Sequence, residues 1–161
     1  MGRRDVTKTL TEAAIDFWGV RCKMGVFKEV GVVKWGRLRC DLLCIHMSGE
    51  IVGVEIKSSK EDFRADKKMQ NYLPYLDKFY LVLPPSIVKY VKGKLAEREW
   101  GDVVGIYTLG HNGYLKCKKP AKQLETIAPE ERIRLLSKLA WRCAEYSRRN
   151  RKRRTRRFLT K

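Results

Sequence analysis

The chain has 161 residues, enough for one domain with a true core and too few for two comfortable ones. Its residues are 43% hydrophobic, which excludes a disordered chain, and its formal net charge is +18. So basic a balance excludes an indifferent surface and calls for a polyanionic partner, nucleic acid first.

In chain order, 8–24 is expected as a helix, with Leu10, Ala13, Ala14, Phe17, Trp18 and Val20 forming an apolar stripe and Gly25 able to end it. "VFKEVGVV", 26–33, reads as a strand, "KWGRLR" as a basic turn and "CDLLCIHM", 40–47, as a second strand. After "SGE", residues 51–57 form a third, close enough to make a hairpin with the second. "SKEDFRADKKMQNYLPYL", 59–76, reads as a helix capped by Ser58 or Ser59 and ended or kinked by Pro74. "KFYLVLP", 78–84, is a fourth strand, parallel to the third through a right-handed crossover. Residues 85–99 are expected as helix, since Pro85 suits a first turn, and 102–110 as a fifth strand. "YLKCK" can pair back as a hairpin. A long helix over 129–148 has Ile133, Leu136, Leu139, Ala140 and Cys143 on one side. The order α-β-β-β-α-β-α-β-β-α defines an α/β domain with a mixed sheet.

Eight of the ten residues in "RRNRKRRTRR", 148–157, are Arg or Lys, and with Lys161 this end carries nine of the eighteen excess charges. The rest of the chain keeps the other nine, so the folded surface is expected to meet phosphate as well. The domain is expected over 1–147, with 148–161 as a flexible basic tail offering Arg148, Arg149, Arg151, Lys152, Arg153, Arg154, Arg156 and Arg157 to nucleic acid. Five cysteines at spacings that match no zinc pattern act as small hydrophobes and point to a reducing, intracellular compartment, cytoplasmic or nucleoid-associated. No apolar run approaches the roughly 20 residues of a membrane span, so no membrane partner is expected.

The ends of the second and third strands carry the chemistry. Residues i and i+2 of a strand share a face, so Glu55 and Lys57 point the same way. Counted from the turn, Asp41 pairs with about position 56 or 57, which lets all three side chains converge. Two neighbouring carboxylates raise each other's pKa unless a cation intervenes, and Mg²⁺ is commonly held by one or two carboxylates plus substrate phosphate. A lysine beside them can orient a water and stabilise developing negative charge. The set suits metal-assisted cleavage of a phosphodiester; the plainer alternative is a structural salt bridge at a sheet end.

Asp41, a short hairpin and Glu55-Ile56-Lys57 resemble the PD-(D/E)XK nuclease signature of the restriction-endonuclease-like fold, a mixed sheet flanked by helices. "RCDLL" together with "EIKSSKEDFRADKKMQNYLPYLDKFYLVLP" is similar to the MmcB-type DNA-repair family within that superfamily. The residues carrying the likeness are Arg39, Asp41, Glu55, Lys57, Ser58, Ser59, Asp62, Phe63, Asp66, Lys68 and Tyr72, over about residues 25 to 85. Cys40 stands where the signature usually has proline, Met69-Gln70 where the family often has tryptophan, and the basic extension lies outside the motif. The resemblance implies that Asp41, Glu55 and the Ile56 carbonyl hold Mg²⁺ or Mn²⁺ while Lys57 positions the water. It implies Glu29 as a further ligand, with Glu12 on the first helix as the alternative. Gln70 and Tyr72 are candidates for contact with DNA, and Arg39 joins them.

Other readings stay close to structure. Ser58 and Ser59 are read as helix caps, and Asp62, Asp66 and Lys68 as organisers of the helix start that support the site from behind. His46 and His111 have no partner motif. Trp35, between Lys34 and Arg37, either stacks a base or covers the core. The expected function is a metal-dependent DNA endonuclease in repair or in processing single-stranded or branched DNA. The alternatives are an inactive nuclease-fold module that recruits partners to DNA, and an RNA-binding protein. The sequence is compatible with a homodimer and with repair-protein partners.

Overall fold

The computed structural model describes residues 2–34 and 38–159, with side chains for all of these except Arg3 and residues 149–159. Two compact units divide after Ile127. The first holds helix α1 (Arg3–Asp16), strands β1 (Gly25–Gly31), β2 (Arg39–Ile45) and β3 (Ile51–Ile56), helix α2 (Lys60–Ala65), β4 (Lys78–Leu83), helix α3 (Val88–Ala96), β5 (Gly105–Leu109) and β6 (Leu115–Lys119). The second is helix α4 (Pro129–Leu159). The expected order of elements is the observed one, and the class is α/β with a mixed six-stranded sheet.

The strands lie in chain order across the sheet. β1–β2–β3 are antiparallel, β3–β4–β5 parallel, and β6 returns antiparallel along β5. β3 is therefore where the sheet changes direction, and every one of its side chains is buried. The β2–β3 turn closes through Gly49 (φ 86), with the His46 N–H donating to the Glu50 carbonyl.

Strand alternation divides the core into two faces. Leu42, Cys44, Val54 and Ile56 face α1, where Leu10, Ala14 and Trp18 pack on them. α1 is shorter than expected and passes into a π-helical turn over Phe17–Arg21, which turns Trp18 inward and leaves Val20 exposed. The odd-numbered residues of β3 face the other side. There Gly53 leaves room for Leu76, which a Cβ at Gly53 would approach to 2.4 Å. Tyr72 stacks on Phe79 on this side, with ring centroids 5.6 Å apart.

Three expectations shift. The helix expected over 59–76 is two pieces: α2, and a 3₁₀ segment Met69–Tyr75 that contains Pro74. Proline lacks the donor an α-helix needs there, and Asp66 is already extended (ψ 105). In α4 the buried residues are Leu135 and Leu139, one turn apart, whereas Ile133, Ala140 and Cys143 are exposed. The backbone of α4 also continues through the basic segment to Leu159, since no Gly or Pro interrupts it and Arg and Lys are good helix formers.

Candidate functional site

The β2–β3 register sets Leu42 opposite Val54, so Asp41 falls opposite Glu55, one to two residues from the pairing expected. Both side chains thus leave the sheet on the face away from α1. The contacts are reciprocal: the Asp41 N–H donates to Glu55 Oε1 at 3.1 Å, and the Ile56 N–H donates to Asp41 Oδ2 at 2.8 Å. Each carboxylate is fixed by the other strand's backbone. Lys57 Nζ lies 3.1 Å from Glu55 Oε2 and 2.7 Å from Asp66 Oδ2. Asp41, Glu55 and Lys57 are therefore brought together.

Asp66 is a direct partner of Lys57 rather than a support for the helix start, a role that a continuous helix over this segment would hide. Its place depends on the break after Ala65, where Asp66 Oδ1 also accepts from the Lys68 N–H at 2.8 Å. No glycine or proline marks that break in the sequence. The cap reading fits: Ser59 Oγ accepts from the Asp62 N–H, and Asp62 accepts in turn from the Ser58 N–H and hydroxyl. α2 thus starts rigidly just beyond Lys57.

Three carboxylates share one ammonium here, in a chain of net charge +18. Burial, then the charge of Asp41, push Glu55 up to about 7 against the pull of Lys57. Burial also raises Asp41, opposed by the Ile56 N–H and by Lys57. Burial alone would lower Lys57, but Glu55 and Asp66 outweigh it and hold the ammonium charged well above its usual range. Burial raises Asp41 and Glu55, and the single charge of Lys57, which is also held by Asp66, does not bring them back down.

The remaining candidates disperse. Glu29 lies between the Lys28–Leu42 and Val30–Cys40 pairs of β1–β2, yet its backbone is left-handed (φ 50), and its exposed carboxylate lies 3.2 Å from Arg39 Nη1. Glu12 is exposed, 4.0 Å from Lys8, on the helix that packs on the opposite face of the sheet. Neither joins the two acids, and among the described residues no three carboxylate, imidazole or thiol groups can hold a metal by themselves. Tyr72 is buried with its hydroxyl donating to the Arg39 carbonyl at 2.7 Å, so it braces β2 rather than facing solvent. Burial, then the charge of Glu55, push its phenol up. Gln70, Lys34, Lys68 and Arg148 are exposed, and Arg148 sits over the Trp141 ring at 4.9 Å. Trp35 and Arg37, and the side chains of Arg149, Arg151, Lys152, Arg153, Arg154, Arg156 and Arg157, lie outside what is described.

Fold and site define an α/β protein whose direction-changing strand ends in a buried acid–lysine cluster. The model of the MmcB-like family, described as DNA repair protein MmcB-like, matches residues 4–145. The chain belongs to that DNA-repair family. It is also similar to the solved structure of a protein of unknown function from Silicibacter pomeroyi, with 22% identity over 91% of each chain and a TM-score of 0.70, a likeness of fold. No curated protein sequence matches. Among the described residues, no helix is long and apolar enough to cross a membrane.

Proposed function

We propose that the chain is a metal-dependent DNA endonuclease of repair, cutting phosphodiester bonds at the Asp41–Glu55–Lys57 cluster. The observation that carries this reading is the excess of buried negative charge. The cluster has three acids to one lysine, and burial, then the charge of Asp41, raise Glu55 to about 7. A divalent cation relieves that excess, and Asp41, Glu55 and the Ile56 carbonyl are the hard oxygen donors available to it. Two carboxylates suffice for Mg²⁺ or Mn²⁺ when substrate phosphate and water complete the shell. Glu29 and Glu12 have no part in this version of the site.

The bound cation supplies Lewis acidity toward a phosphate oxygen. The chain supplies the rest. Asp41 and Glu55, locked by each other's strands, hold their oxygens without reorganisation. Lys57, kept charged, donates hydrogen bonds toward an attacking water and the developing charge on phosphate. Asp66 fixes the direction of Lys57 from behind. The basic surface gathers the polyanion.

The test is cleavage of single-stranded, duplex, flap and junction DNA with Mg²⁺ or Mn²⁺. Wild type is expected to cut at least one form, and Lys57→Ala to lose about 10²-fold or more in rate while still binding. A folded wild type that cuts none with either metal refutes the reading. The Lys57–Asp66 pair at 2.7 Å favours a second one, a DNA-binding module without turnover, because an ammonium already held by two carboxylates has less to give a substrate. In that case calorimetry detects no divalent cation binding at Asp41 and Glu55.

A further inference from the structure

Away from the acidic cluster, α2 and α3 enclose an open groove of about 490 Å³. Lys60 and Lys89 line it with Tyr90, and Lys94 lies in its wall already paired to Glu97 at 2.8 Å. Among the described residues, Lys60 and Lys89 have no ion pair. Tyr90 arranges the cations of α2 around itself. The Arg64 guanidinium lies 5.2 Å and Lys60 Nζ 5.3 Å from its ring centre, and Arg64 Nε donates to its hydroxyl at 2.7 Å. Positive charge at the groove is therefore placed before anything binds.

Gly93 is a second and independent observation. It sits in the interior of α3, where glycine is the poorest residue short of proline. No internal contact accounts for it, since nothing lies within 4 Å of where its Cβ would stand. The space kept open is that of the groove it lines. A glycine serves there if something from outside must approach the helix backbone closely.

We propose that the α2–α3 groove is a track for the phosphodiester backbone of a DNA strand, with Lys60 and Lys89 contacting phosphates and Gly93 giving the strand access to α3. The inference rests on the DNA-handling function proposed above and adds where the strand lies. α2 begins three residues after Lys57 and ends at Ala65, one residue before Asp66, so the same short helix borders both the track and the acidic cluster.

Fluorescence anisotropy with labelled single-stranded and duplex oligonucleotides over a salt series tests it. Lys60→Glu/Lys89→Glu is expected to weaken binding roughly tenfold or more, and to lower the salt slope by about 1.8 on duplex or about 1.4 on single strands. Gly93→Gln changes no charge and fills the groove, and is expected to weaken binding too. Gly93→Ala is expected to melt at a higher temperature than wild type, which separates groove filling from misfolding. Lys116→Glu/Lys118→Glu makes the same charge change on the exposed side chains of β6 and is expected to cost clearly less. Equal losses from the two charge reversals, or full affinity in a folded Gly93→Gln, overturn the track alone. A wild type that binds no DNA overturns the track and the proposed function together.

Discussion

Glu55→Gln should remove a loss of stability that the metal-free protein suffers as pH rises from 5 to 8. A glutamate raised to about 7 in the fold, against an ordinary 4.5, binds its proton more tightly folded than unfolded. Its contribution to stability is therefore fully present below the unfolded value, and is lost as pH rises through about 7. Of the roughly 3 kcal/mol that separates full protonation from full ionisation of this group, roughly 2–3 kcal/mol is lost by wild type between pH 5 and pH 8. Glutamine has the size and neutrality of the protonated acid, but both Glu55 oxygens accept, from the Asp41 N–H and from Lys57, so its NH₂ meets a donor and the variant carries a fixed penalty that is read at pH 5. Relative to wild type it should gain that amount between pH 5 and pH 8, or about 5–10 °C in Tm for a chain of this length. Urea melts at both pH values, with divalent cations chelated, give the comparison. Taking the difference between variant and wild type removes the general repulsion of a +18 chain. Millimolar Mg²⁺ or Mn²⁺ should restore wild type at pH 8 and leave Glu55→Gln unmoved. Equal pH slopes for the two proteins would refute the claim that Glu55 is a strained, under-neutralised acid.

Ser59→Ala removes the acceptor for the Asp62 N–H at the start of α2, and should cost about 1 kcal/mol in denaturant melts. Gly53→Ala sets a Cβ 2.4 Å from a methyl of fully buried Leu76, and should cost about 1–3 kcal/mol by the same measurement. Truncation before Arg148 should flatten the salt dependence of duplex affinity by about 0.9 for each phosphate that the basic end neutralises, read by anisotropy; an unchanged slope would remove DNA binding from that end.

The strands were legible because each carries a period-2 or all-apolar pattern with nothing to compete. β3 reads "IVGVEI" and is buried throughout. The clustering of Asp41, Glu55 and Lys57 was legible because two charged residues at the end of such a strand contradict its pattern. Register was less so. Asp41 lies opposite Glu55 because the turn hydrogen bond runs from the His46 N–H to the Glu50 carbonyl, one residue from where a count on apolar residues alone places the turn. The segment after α2 was hidden for another reason. Residues 59–76 have an acceptable helical pattern, but Leu76 packs at Gly53, Tyr72 is held against Phe79 and β2, and Met69 is buried, so tertiary packing overrides propensity.

That break gives Lys57 its second acid. An uninterrupted helix would carry residue 66 along its own axis, whereas the extended backbone at Asp66 returns the chain toward the strand end and brings a carboxylate to 2.7 Å from the lysine. The result is a lysine that stays protonated across the whole physiological range beside a glutamate that does not stay ionised there. A structural ion pair has no use for such an imbalance, since one acid matched to one lysine would leave no surplus negative charge in the fold. On the proposed function it serves a site whose missing positive charge arrives from outside. Divalent cation and Glu55→Gln are therefore two ways of relieving one deficit, and only the first leaves the oxygens of Asp41 and Glu55 engaged with the ligand.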